Sequence, residues 1–264
     1  MELNIFERFK KDLESGLPLA LATIIEGTGQ GTKLLLTSDG STLGSLGDKS
    51  LDRVLTRDMA GELAAGRTSI RHYGPKGEAR DEALSIFIES FAPPPQMLIF
   101  GAVDFTAALV RVAKILGYKV TVCDARPVFA TEERFPQADS VENAWPNDLI
   151  EEVGETLGPR DAICVLTHDN KFDVPAITAA LDTSVGYIGV MGSRKTHDNR
   201  TNRLKEAGVN ESQFKRIMSP IGIDLGARTP EETAISICAE IIAMRTGREA
   251  PHLKTGEGPI HGEY

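Results

Sequence analysis

Hydrophobic and polar positions follow two regimes along this chain, and the change falls at a run of three prolines. Before it, MELNIFERFKKDLESG spaces apolar residues among charges and predicts an amphipathic helix ending near Gly16. Residues 19–25 (LALATII) and 33–37 (KLLLT) read as strands, separated by a turn at Gly27-Thr28-Gly29-Gln30-Gly31. A helix over about 49–65 puts Leu51, Val54, Leu55, Met59 and Leu63 on one face, and ALSIFIESF (83–91) reads as another strand. Together these predict a small α/β domain over 1–92.

Pro93, Pro94 and Pro95 can join neither a sheet ladder nor a helix interior, so 93–96 reads as a stiff connector. Beyond it, strands alternate with helices. MLIF (97–100) ends at Gly101-Ala102, and the next helix carries Phe105, Ala108, Leu109, Val112, Ala113 and Leu116 on one stripe. YKVTVCD (118–124) closes on Asp124, and a blurred βα unit follows over 128–157. DAICVLT (161–167) leads into His168-Asp169 and a helix near 173–182; VGYIGVM (185–191) is again followed by helix. This alternation predicts, over 97–247, a Rossmann-type parallel sheet with helices on both faces. The last helix is signalled by Thr229 as cap, Pro230 in its first turn and Glu232 completing a capping box. Its body, ISICAEIIAM, is apolar over most of its circumference and predicts burial. The tail, 248–264, is rich in Gly, Pro and charge and reads as loosely ordered.

Composition narrows the functions. Net charge is −9 over 264 residues, and no basic run exceeds two residues, which disfavours binding to a phosphate backbone. No apolar stretch approaches a membrane span, and the opening helix lacks the basic head and apolar middle of a signal peptide, so a cytoplasmic protein is expected. The three cysteines, Cys123, Cys164 and Cys238, sit in apolar runs and read as buried hydrophobes rather than metal ligands. No metal site is expected.

Candidate chemistry gathers where strands end. A dinucleotide site needs a Gly-rich turn between strand and helix and an acidic residue ending the next strand. Gly101, Ala102 and Asp124 meet that layout, but Val103 stands where a second glycine would let a pyrophosphate approach, and Asp104 puts a negative charge at the helix start. Two like charges about 4 Å apart repel by roughly 4 kcal/mol at an effective dielectric of about 20, enough to offset the pull of a helix N-terminus on phosphate. Asp104 reads alternatively as the helix N-cap. Asp124 and Arg126 could hold a ribose and a phosphate, or form a local ion pair. His168 and Asp169 fall at a strand's carboxyl end, as ligand groups or as a polar loop. Gly189, Gly192, Ser193 and Arg194 end a strand and open a helix, a setting that suits an anion or simply a tight turn, and Arg228 precedes the last helix.

Four stretches, LIFGAVDFTAALVRVAKILGYKVTVCDARPVFA, VLTHDNKFD, GYIGVMGSRKT and SPIGIDLGARTPEETAISICAEI, resemble in that order the Rossmann domain of the XdhC/CoxI family of xanthine dehydrogenase accessory factors. SPIGIDLGARTPEE is the most specific of them; the first 90 or so residues resemble the family's smaller domain. Tyr187, Gly189, Gly192, Ser193, Arg194, Asp224, Gly226 and Thr229 match the family pattern. The resemblance implies a cytoplasmic accessory protein, not itself an enzyme, that binds molybdenum cofactor (molybdopterin or its nucleotide form). It would assist sulfuration of the cofactor or its delivery to a molybdenum hydroxylase apoenzyme such as xanthine or carbon monoxide dehydrogenase. A sulfurtransferase and a second copy of the chain are further partners it leaves open. The sequence departs from the family at Val103 and Asp104, where Gly-His is usual, and at Gly44-Ser45-Leu46-Gly47-Asp48, where a cysteine is usual. The alternatives are an NAD(P)-dependent oxidoreductase, or a scaffold that has lost its ligand.

Overall fold

The computed structural model describes residues 4–78, 83–167 and 169–255, with every side chain there except those of Asn170, Arg194 and Lys195. The described chain forms two compact units, 4–93 and 94–255.

The first unit carries α1 (Ile5–Glu14), β1 (Leu19–Glu26), β2 (Lys33–Leu36), β3 (Thr42–Gly44), α2 (Lys49–Ala65), β4 (Ser69–Tyr73) and β5 (Leu84–Phe91). Its sheet has the order β3-β2-β1-β5-β4, and neighbours are antiparallel. Asp48 caps α2 by accepting from the amides of Ser50 and Leu51. Leu51, Leu55 and Met59 then enter a core with Ala20, Ala22, Ile24, Leu34, Ile86 and Ile88. Two strands escaped the sequence reading. β3 is three residues long, and β4 (SIRHY) is an edge strand whose alternate positions stay in water, so neither carries an apolar run. Glu62, on the inner side of α2, is fully buried and is held by Arg67 at 3.1 Å and by Arg71.

The second unit carries β6 (Gln96–Phe100), α3 (Asp104–Ile115), β7 (Lys119–Cys123), β8 (Ser140–Glu142), α4 (Pro146–Val153), β9 (Ala162–Val165), α5 (Asn170–Leu181), β10 (Tyr187–Val190), α6 (Arg194–Glu206), α7 (Glu211–Phe214), β11 (Ile217–Met218) and α8 (Pro230–Thr246). Its six strands run in the order β11-β10-β9-β6-β7-β8, every neighbouring pair parallel. Helices α3 and α8 cover one face; α4, α5 and α6 cover the other. The Rossmann-type sheet is therefore as expected. The blurred stretch resolves into β8, a half-buried edge strand of three residues, and the short α4. Because the chain leaves β6 and β9 toward opposite edges of the sheet, a crevice opens at their carboxyl ends, where ligands bind in such folds.

The capping box of α8 is as the sequence indicated: Thr229 accepts from the Glu232 amide at 3.2 Å, and Glu232 accepts from the Thr229 amide at 3.1 Å. Its burial is partial. Ala234, Ile237, Cys238 and Ile241 are buried, but Ile235 is 53% exposed and Ile242 37%. An apolar circumference licensed burial on all sides, and this unit packs only part of it.

Candidate functional site

Three turns at the carboxyl ends of β6, β9 and β10 hold most of the candidate residues. In the first, Gly101 has φ +108°, and a Cβ there would lie 2.7 Å from Thr167 Cγ2 and 3.0 Å from the Thr167 amide nitrogen. Only glycine lets the β6 turn lie against the β9 turn. The Thr106 hydroxyl donates to the Gly101 carbonyl and accepts from the Val103 amide at 3.3 Å. Val103, not Asp104, is the N-cap of α3; Asp104 is its first residue, exposed to water. The expectation that Asp104 caps the helix is thus corrected, because the Thr106 side chain reaches back to satisfy the turn.

Asp124, 4% exposed, accepts from the Ala102 amide at 2.8 Å. It also accepts from the Arg126 amide at 3.0 Å and from Arg126 Nε and Nη2 at 2.9 and 2.8 Å. Burial alone would raise its pKa, but these four donors outweigh it and hold the carboxyl below its ordinary value. Of the two readings of this pair, the geometry shows the local ion pair. The Arg126 guanidinium lies 4.4 Å over the Phe129 ring, and Arg134 Nη1 donates to the carbonyls of Ala102 and Phe129, both at 3.0 Å. The first turn therefore spends the Ala102 amide and carbonyl on the protein itself.

At the second turn, Asp169 is exposed and caps α5 by accepting from the Lys171 amide at 3.0 Å. Asp169 after β9 and Arg126 after β7 follow the carboxyl ends of strands in one parallel sheet, and the Asp169 charge adds, after Asp124, to raising the pKa of Arg126. His168 lies outside the described residues. Thr167 donates its hydroxyl to Asp173, a fully buried carboxylate in α5. Asp173 accepts from Arg200 Nη2 at 2.8 Å, and the same nitrogen donates to the Met191 carbonyl at 2.9 Å. One buried pair thus joins the ends of β9 and β10.

At the third turn, Gly189 stands inside β10, where a Cβ would lie 2.5 Å from Ile221 Cδ1 and 2.6 Å from Tyr187 Cε1. Its role in the fold is close packing, one step back from the turn proper. A Cβ on Gly192 would be 3.5 Å from Arg200 Nη1, so the guanidinium lies directly under this turn. Ser193 caps α6, accepting from the Thr196 amide at 3.2 Å, and Arg194 is the first residue of that helix. The segment after β11 lies alongside: the Ile221 amide donates to the Val190 carbonyl at 3.1 Å. The Tyr187 hydroxyl, whose pKa burial pushes well up, and the Gly222 amide, at 2.9 Å, both donate to Glu240. Arg228 is exposed just before α8, and Glu231 in the first turn of α8 ties to Arg111 in α3 at 2.7 Å.

The structure thus gathers Gly101, Ala102, Asp124, Arg126, Asp169, Gly192 and Ser193 at one sheet edge, with Asp104 at the head of α3. Gly189 belongs to the strand interior, and the Arg228 amide donates to Glu232 in α8 at 2.7 Å. Thr167, Asp173, Arg200 and Glu240 were missed. They look like ordinary helix or loop polars in the sequence, and only burial of Asp173 and Arg200 marks them. All three cysteines are free and buried, and burial pushes the thiols of Cys123 and Cys238 up to about 12 and that of Cys164 well above its usual range. Among the described residues there is no cluster of three or more His, Cys, Asp or Glu able to hold a metal ion, and no helix long and apolar enough to cross a membrane.

Strand order, parallel pairing and a Gly-turn at the switch point define a Rossmann-type domain. More narrowly, the chain belongs to the XdhC and CoxI family: residues 97–241 match the XdhC Rossmann domain, and residues 12–74 match the XdhC and CoxI family model. It is 36% identical over 165 residues to a probable xanthine dehydrogenase subunit of Bacillus subtilis, covering 62% of this chain and 47% of that one. It is 25% identical over 166 residues to the molybdenum cofactor insertion chaperone PaoD of Escherichia coli, covering 63% and 45%. The matched segments thus span about half the length of these relatives. A crystal structure of a xanthine dehydrogenase from Bacillus halodurans shares the fold: TM-score 0.55 at 21% identity, covering 94% of this chain and 97% of that one.

Proposed function

We propose that this chain is a maturation factor for a molybdenum hydroxylase, which binds molybdenum cofactor at the β9–β10 edge and passes it to the apoenzyme. Similarity to a molybdenum cofactor insertion chaperone supports the reading. The observation that carries it is the contrast between two turns. The first, where a dinucleotide pyrophosphate would sit, uses its Ala102 amide on Asp124 and its Ala102 carbonyl on Arg134. The third has a helix N-terminus at Ser193 with the Arg200 guanidinium beneath it, whose buried Nε has no hydrogen-bond partner among the described residues. The amides at this helix start suit the phosphate of a phosphorylated pterin, while the Arg200 guanidinium, tied to Asp173 and the Met191 carbonyl, holds the turn in place.

In such a complex the cofactor would supply the molybdenum centre on which the hydroxylase's chemistry depends. The chain's part is to hold the phosphate near Gly192, Ser193 and Arg194 and to orient the ring system, with Asp169 at the neighbouring turn beside it. Delivery is favoured over thiolate-carried sulfuration, because none of this chain's three cysteines presents an accessible thiolate. An NAD(P)-dependent oxidoreductase is the weaker reading, since the first turn faces inward. Calorimetry with molybdopterin, NAD and NADP in separate titrations decides between them, and pterin binding is expected to be the tightest. Tight NAD binding without pterin binding would overturn the proposal; binding of none would leave the scaffold reading.

A further inference from the structure

We propose that α8 is a self-association surface through which two copies of this chain pair, antiparallel, about a twofold axis near Ala239. The proposal does not rest on the ligand reading. Helix α8 is apolar around nearly its whole circumference, yet Ile235, Ala239, Ile242 and Thr246 recur at spacings of four, three and four and form its open stripe. Ile235 is 53% and Ile242 37% exposed, whereas Ala234, Ile237, Cys238 and Ile241 on the inner arc are all below 5%. The patch continues onto α3. Arg111 bonds Glu231 at 2.7 Å, and one turn further on the same face of α3 stands Ile115, 83% exposed.

Charge specifies the occupant. The first turn of α8 carries Glu231 and Glu232, its last turn carries Arg245, and Arg248 follows. A second copy laid parallel would set acid on acid and base on base. Laid antiparallel, it sets the acidic turn of each copy against Arg245 of the other and opposes the two helix dipoles. The same operation brings Ile235 of each copy onto Ile242 of the other, and the small Ala239 between them lets the backbones approach. A patch complementary to itself closes as a dimer.

Sedimentation equilibrium of the full chain over a concentration series tests this. The wild type is expected to dimerise, Arg245→Glu to raise the dissociation constant about a hundredfold, as two symmetry-related lost charge-assisted contacts of about 1.4 kcal/mol each would, and Ile242→Asp to give monomers. The melting point of Ile242→Asp should stay near that of wild-type monomer, because the position faces water. Under mild oxidation, Ala239→Cys should form a disulfide-linked dimer, whereas the wild type, with its cysteines buried, should not. A wild type that stays monomeric overturns the proposal. So does a dimer that survives Ile242→Asp and is not trapped by Ala239→Cys.

Discussion

The guanidinium of Arg200 and the carboxylate of Asp173 meet at 2.8 Å with both side chains almost wholly out of water. Asp173 also takes the Thr167 hydroxyl, and Arg200 also reaches the Met191 carbonyl, so one ion pair holds the ends of β9 and β10. Removing one partner takes the opposite charge away from a buried ion. Arg200→Met is therefore expected to cost about 3–5 kcal/mol of stability, and Arg200→Met with Asp173→Leu less than the two single changes summed. Urea unfolding of the four proteins measures this; strict additivity would show that the pair is not coupled.

Gly101→Ala should destabilise by about 1–3 kcal/mol, the usual cost of overpacking, because the new methyl would meet Thr167 in a backbone region that side chains avoid. Thermal melts of the variant and the wild type provide the check. A loss below a few tenths of a kcal/mol would mean that the β6 and β9 turns are not in contact.

Asp124 links stability to pH. Its folded pKa is depressed, so its contribution is fully present above the ordinary carboxylate value near 3.8 and is lost as pH falls through the folded value. The stability gap between wild type and Asp124→Asn should be widest at neutral pH and shrink on the acid side of about pH 4. Denaturant titrations from neutral to acid pH will show it. A gap that stays constant would remove Asp124 as the origin.

The cysteines should be inert in the folded state. Burial keeps all three protonated and covered, so a maleimide or disulfide reagent is expected to label them only after denaturant is added. Mass spectrometry of native and denatured samples distinguishes the outcomes. Rapid native labelling at any of the three would reopen thiolate-carried sulfur chemistry.

Local pattern along the chain was enough to set out the second unit's architecture, since each strand from β6 to β10 except β8 is a short apolar run and each intervening helix except α4 has a clear stripe or cap. It also located the turns, because glycines and acidic residues at strand ends are local signals, and the capping box at Thr229 is written in four consecutive residues. What the residues at those turns touch was decided by packing. Whether Asp124 faces a ribose or Arg126, whether Gly189 faces a ligand or Ile221, and whether Ile235 faces the core or water depend on how distant elements come together, which periodicity does not encode. The pairing of Asp173 with Arg200 was out of reach for the same reason: a polar residue on a helix looks alike in water and in the core, and burial follows from which elements pack together.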